Sequence, residues 1–413
     1  METMTYTTAN RSNHKDVKPL VCRSCLKRKM KVASWIVFFV FGPAVFFDAS
    51  AVQIDSRADV ILRSNSKVIH KVSEDLLTEM TQVERFKGVA LVMRGNSVIH
   101  ARAYGNATRE KANKLNTAFH VGSITKQFTA AAIMQLVEKG SLVLDNPISG
   151  YLPEKYRSDF WSDVRLHHLL SHTSGIPDYA VTREYYDITD GWALGDTVDG
   201  MIREAMQQEL EFKPGTDFEY SNIGYTLLGE IIEEQTGSLF EDYIQENLLD
   251  PLGMTKSRIR VENHVPLAHE ASGFRWNEAE KRHTKDNVVS LPVTSPDGGL
   301  VTTLNDFTKW ITIYRDKKHP RLSSASLERM LQPSIPADSY DWPEEGLHGN
   351  TSYGFGLTLS GDLISHPGII VGFTSHFIYD RQTDLLVAVF TNNKTTDAIK
   401  IASNLFKIHD LHE

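Results

Sequence analysis

Cysteine is almost absent from this 413-residue chain. Cys22 and Cys25 are the only two. Downstream of Ala51 there is none, which excludes disulfides, cysteine nucleophiles and cysteine-ligated metals from that part. The Cys22-x-x-Cys25 pair has no second pair to complete a zinc site. Also missing after Ala51 are a glycine-rich phosphate loop and a basic cluster. Net charge is −8, from 44 Lys/Arg against 52 Asp/Glu. The first 51 residues hold eight basic and three acidic residues, which leaves 36 against 49 beyond them. So acidic a body is repelled by nucleic acid and by anionic membrane surfaces. His167, His168 and His172 lie close together, but no His-Glu-x-x-His pattern follows. No metal and no cofactor is expected.

Long apolar runs are missing too, with one exception. Val32 to Phe47 are 16 uncharged residues, broken by Gly42-Pro43 and preceded by Met30-Lys-Val. A spanning helix needs about 20. Ala49-Ser-Ala51 offers a small-x-small cleavage site, so the segment reads as a secretory signal cut after Ala51. The protein is then expected in the periplasm or outside the cell, with Met30 as its start. A retained membrane anchor is the alternative.

What is present is an ordered trio: Ser123-Ile-Thr-Lys126, Tyr220-Ser-Asn222 and His366-Pro-Gly368. Serine, lysine and tyrosine suffice for an acyl-enzyme mechanism without a Ser–His–Asp triad. Singly the motifs recur: Ser-x-x-Lys also at Ser12/Lys15, Ser24/Lys27 and Ser64/Lys67, Tyr-x-Asn also at Tyr104, His-x-Gly also at His120. Context selects Ser123. It follows Val121-Gly122 and opens an apolar run, Phe128 to Val137, that Gly140 ends. That predicts a helix with serine in its first turn and a stripe of Phe128, Ala131, Ala132 and Leu136. Residues three apart share a helix face, so Lys126 lies beside Ser123. Burial would lower the lysine pKa, and the helix N-terminus favours a developing anion. Asn222 precedes a second striped helix, Ile223 to Ile232, and reads equally as its N-cap.

Together these residues resemble the serine β-lactamase/penicillin-binding-protein-like superfamily, on the branch of class C β-lactamases, D-amino-acid peptidases and β-lactamase-fold esterases. The matching segments run from Phe119–Lys126 through His168–Gly175, Phe218–Tyr225, Asp250–Met254 and Gly298–Thr303 to His366–Gly368. Ninety-seven residues separate Ser123 from Tyr220, and 146 separate Tyr220 from His366.

The resemblance implies roles. Ser123 would be the nucleophile, with Lys126 and Tyr220 exchanging its proton. Asn222 would hold Lys126 and the substrate amide. Backbone N–H groups of Ser123 and of Ile369, just after His366-Pro-Gly368, would form the oxyanion hole. The family's β-lactamases usually carry Lys-Thr-Gly at the third motif. This chain has none, and His-x-Gly looks more like the esterases and peptidases. An ordinary histidine titrates near 6.5, so His366 would be mostly neutral above pH 7. The expected function is an exported serine hydrolase of an ester, peptide or amide, its substrate a small molecule or peptidoglycan-like. A true β-lactamase or D-Ala-D-Ala carboxypeptidase is the alternative, and a non-catalytic binding homologue the second.

The fold class follows as α/β (α+β). Hairpins at 88–103 and 372–390, with a helix near each terminus, predict one antiparallel sheet built from both ends of the chain. The middle is mostly helical. The expected division is 1–51 as extension and signal, 52–120 plus 290–413 as the α/β part, and 121–289 as the helical part.

Overall fold

The computed structural model describes residues 66–83, 85–178, 198–261, 265–286, 295–335 and 351–410. The expected signal segment and its cleavage site lie outside the described residues. So does most of 179–200 and 333–351. No described helix is long and apolar enough to cross a membrane.

Two apolar runs, Gly88–Arg94 (β1) and Leu385–Thr391 (β12), lie side by side although 290 residues apart in sequence. Both are apolar at nearly every position because the sheet is covered on both faces. Val89 and Leu91 of β1 with Leu386, Ala388 and Phe390 of β12 face the large core. Ala90, Val92, Leu385, Val387 and Val389 face a smaller one. The period is two, yet the only polar residues are Arg94 and Thr391 at the strand ends, which marks a two-sided strand. The smaller core is closed by the terminal helices, α1 (Ser66–Val83) through Leu77 and Met80, and α7 (Ala398–Asp410) through Ile401, Leu405 and Phe406.

Ser97–Tyr104 (β2), Ser352–Tyr353 (β8), Thr358–Ser360 (β9), Leu363–Ile370 (β10) and Phe373–Asp380 (β11) complete the main sheet. Its order is β2-β1-β12-β11-β10-β9-β8, with every pairing antiparallel. The expected fold class is therefore observed. A second sheet of Phe119–His120 (β3), Arg258–Ile259 (β4) and Leu300–Thr302 (β7) has the order β3-β7-β4. Phe274–Asn277 (β5) and Arg282–Lys285 (β6) form a separate hairpin.

Against the large core lie α2 (Lys126–Glu138), α3 (Leu166–Leu170), α4 (Asn222–Thr236) and α6 (Leu304–Arg315), and α5 (Ser295–Gly298) packs on α2 and α4. Two local expectations are corrected. Ser123 lies in a 3-10 turn, Gly122–Thr125, ahead of α2 rather than in its first α turn. And α2 has no one-sided stripe, since Lys126 through Leu136 are all buried. A helix surrounded by protein has no solvent face to keep polar. Its polar side chains are satisfied inside: Gln127 Oε1 accepts from Trp310 Nε1 at 2.7 Å and from the Tyr314 hydroxyl at 3.0 Å.

Candidate active site

The turn carrying Ser123 is clamped from two sides. Thr125 Oγ1 donates to Gly122 O at 2.6 Å and accepts from Leu300 N at 2.9 Å. Thr129 Oγ1 donates to Pro296 O at 2.6 Å. These bonds tie α2 to the Pro296–Leu300 segment and bring the Asp297 carbonyl to Lys126. On the other side β10 presses on the turn. A Cβ at Gly368 would stand 1.9 Å from Val121 O, so the last position of His-Pro-Gly must be glycine. Gly122 has φ +53, and a Cβ there would stand 2.9 Å from Ile369 N. Residues two apart in a strand direct their backbone groups to the same edge. The N–H of Ile369 thus shares the edge of Pro367, which β9 leaves uncovered because its pairing stops at Ser365. Proline costs no ladder bond there. Gly368→Ala is expected to cost about 1–3 kcal/mol by overpacking, read as a lower thermal midpoint. A variant as stable as wild type would mean the seam is looser than described.

Lys126 is wholly buried. Its Nζ meets Asn222 Oδ1 at 2.7 Å, Asp297 O at 2.9 Å and Ser123 Oγ at 3.1 Å. Asp297 Oδ2 is 4.0 Å away. The Tyr220 ring lies under the ammonium at 4.8 Å and that of Tyr225 at 5.4 Å. Burial lowers the Lys126 pKa to about 8, against the pull of Asp297 and Asp178. The structure thus brings Ser123, Lys126, Tyr220 and Asn222 together. Tyr220 presents its ring face to Lys126.

Asn222 is not the helix cap. Ser221 is, its hydroxyl accepting from Gly224 N at 3.3 Å. Asn222 is then the first residue of α4, and its side chain is free to reach Lys126. Its far end meets Asp178: Asn222 Nδ2 donates to Asp178 Oδ2 at 3.0 Å, while the backbone N–H groups of Asn222 and Ile223 donate to Oδ1 at 2.8 and 3.2 Å. Burial raises the Asp178 carboxyl to about 6, opposed by these hydrogen bonds and by Lys126.

His366 corrects the expectation of an ordinary histidine beside the substrate. It is 1% exposed. Nδ1 donates to Pro367 O at 2.6 Å, so Nε2 takes the Tyr353 hydroxyl at 2.9 Å. Burial, with Lys126 nearby, pushes its pKa down to about 3. It stays neutral over the whole working range, with both nitrogens engaged inside the protein. Three residues on, Ile369 is 57% exposed and apolar.

Three contributors escaped the sequence reading, and a fourth, His172, was noticed only as one of a histidine cluster. Asp178 and Asp297 sit just outside segments that were noticed, His168–Gly175 and Gly298–Thr303. His172 stacks on Tyr220 with centroids 4.2 Å apart, and its Nδ1 accepts from Ser221 N at 3.1 Å. Burial holds it neutral, well below its ordinary pKa. Tyr353 is the third of those missed. The other clustered histidines serve the backbone: His168 Nδ1 accepts from Arg165 N, and His167 Nδ1 meets Leu144 O.

A family model described as Beta-lactamase matches residues 74–408. The chain belongs to the β-lactamase family. Family members are serine hydrolases, and the chain is of that kind. A penicillin-binding protein of Bacillus subtilis (strain 168) is 27% identical over 348 residues, covering 78% of this chain and 72% of that one. The octameric penicillin-binding protein homologue from Pyrococcus abyssi superposes with TM-score 0.73 at 30% identity, over 83% of this chain and 77% of that one. D-amino acid amidase from Ochrobactrum anthropi shares the fold, with TM-score 0.65 at 22% identity over 84% of this chain and 96% of that one.

Proposed function

We propose that the protein is an exported acyl-serine hydrolase that cleaves an ester or amide whose acyl part carries no carboxylate beside the third motif. One observation supports the mechanism above others: the disposition of acceptors around Lys126. A neutral amine has two N–H bonds and one lone pair. Asn222 Oδ1 and Asp297 O can only accept, so they claim the two N–H bonds. The remaining direction leads to Ser123 Oγ at 3.1 Å. The lone pair therefore points at the serine proton, as a general base requires.

In this reading Ser123 Oγ attacks the carbonyl carbon while its proton passes to Lys126 Nζ. The N–H groups of Ser123 and Ile369 stabilise the oxyanion. The proton then returns, directly or through Tyr220, to the leaving group, and water releases the acyl group. Export rests on the sequence reading alone: the basic start, the apolar run and Ala49-Ser-Ala51.

The third motif bears on substrate. A lysine there would offer a permanent cation to a carboxylate, whereas neutral, buried His366 and exposed Ile369 offer none. Expected kcat/KM is higher for a nitrophenyl butyrate ester than for nitrocefin by at least tenfold between pH 6 and 8.5. The ratio should stay flat across that range, because His366 does not titrate in it. Efficient nitrocefin turnover, or a ratio that changes near pH 6.5, sinks this substrate assignment and favours the β-lactamase alternative.

A further inference from the structure

We propose that Asp178 is a positioning residue that fixes which end of the Asn222 amide faces Lys126, and so aims the Lys126 lone pair at Ser123. The proposal rests on the acyl-transfer reading above.

An asparagine side chain can turn over, exchanging its oxygen for its NH2 group. Only one orientation places the lysine lone pair usefully. If Nδ2 faced Lys126, the amine would accept from it, and its lone pair would be drawn away from Ser123. Asp178 removes the ambiguity. An ionised carboxylate only accepts, so Asn222 must turn its NH2 group to Asp178 Oδ2, and Oδ1 is left for Lys126. Asp178 is itself fixed by the two N–H groups at the start of α4. The chain of contacts is therefore continuous: helix start, Asp178, Asn222, Lys126, Ser123. Ser221 already caps the helix, so the carboxylate is not its sole cap.

The charges around this chain are few. Asp178 feels the Lys126 charge, and its own charge, after burial and Glu219, helps raise Glu211. Lys126 faces Asp178, Asp297 and the rings of Tyr220 and Tyr225, with His172 and His366 held neutral nearby. Loss of the Asp178 charge removes one of two carboxylates that raise the Lys126 pKa. The pH at which the base becomes neutral then moves down.

The test is a double-mutant cycle on the purified protein, read with a nitrophenyl ester from pH 5.5 to 9.5 and with thermal unfolding. Asp178→Asn keeps one oxygen for the helix N–H groups but replaces Oδ2 with NH2. That group demands an acceptor, turns Asn222 over and presents NH2 to Lys126. Expected is a plateau kcat/KM about 10²-fold lower, an alkaline-rising limb shifted to lower pH, and an unfolding midpoint close to wild type. Asn222→Asp alone sets two carboxylates face to face and is expected to lose at least as much. The double variant D178N/N222D restores an oxygen toward Lys126 and a donor–acceptor match between 178 and 222. It should exceed both single variants at least tenfold at high pH, with its limb shifted upward by the new charge beside Lys126.

A merely structural role gives another pattern: a lowered midpoint, an unmoved limb, and a double variant no better than the worse single. That pattern overturns the proposal, as does D178N within threefold of wild type at every pH. Wild type that turns over ester and is labelled at Ser123 by a fluorophosphonate, beside a normal D178N, refutes only the positioning role. Wild type that does neither refutes acyl transfer and this proposal with it.

Discussion

Ser123→Ala is expected to abolish fluorophosphonate labelling and to lower ester kcat/KM by on the order of 10⁴-fold or more. The magnitude follows from what the substitution removes. Every covalent step passes through Ser123 Oγ in the proposed mechanism, and no other described side chain of the site is a serine within reach of Lys126 Nζ. The residual rate would come from the oxyanion donors and binding alone. Folding should be almost untouched. Ser123 is half-buried, its hydroxyl has Lys126 as its recorded partner, and the turn is held by Thr125 and by the β10 seam. Labelling is read by intact mass and stability by thermal unfolding. Equal labelling of the variant would move the nucleophile elsewhere. A wild type that neither labels nor turns over any ester, D-amino-acid amide or nitrocefin would favour the non-catalytic binding homologue.

How much of this was legible in the sequence depends on the range of the interactions. The strands at 88–94 and 385–391 announce themselves because burial on both faces leaves unbroken apolar runs. The terminal helices are legible for the opposite reason, as each has one polar face. The central helix was legible as a helix but not in its burial, since Phe128 and Ala131 look alike on a one-sided and an all-round helix. Ser123 and Lys126 were legible because three residues of helical spacing fix their neighbourhood. Asp178 and Asp297 were not, because their partners are distant in sequence: Asp178 bonds Asn222, 44 residues away, and Asp297 meets Lys126, 171 residues away. A cap can be read wrongly by one residue: Ser221 and Asn222 are both good caps by type, and only the fold shows that serine caps while asparagine reaches across. His366 was read by its motif and by its ordinary pKa. Burial and two internal hydrogen bonds change both its role and its charge.

Lys126→Arg is expected to lower ester kcat/KM by about 10³-fold and to erase the pH limb of the wild type. Wild-type activity should rise with pH and level off above about 8, because the neutral amine is the base and burial sets its pKa near there. The sign is fixed by the proton: below pH 8 the ammonium has no lone pair, so activity falls tenfold for each unit of pH. At pH 7 only about one-tenth of the molecules are competent by that pKa. Arginine keeps the cation and its donors toward Asn222 Oδ1 and Asp297 O, but its guanidinium stays protonated throughout and has no acceptor. It can satisfy the site without serving it. The larger head group strains a fully enclosed position, so Lys126→Met, close in length and uncharged, is run beside it with circular dichroism on both. If the methionine variant folds and is as slow as the arginine one, charge is not what the lysine supplies, and proton transfer is. If either variant stays within tenfold of wild type and keeps a limb near pH 8, the proton goes to Tyr220 instead. Tyr220, stacked on neutral His172, would then be the base, and Tyr220→Phe would become the variant that removes the activity.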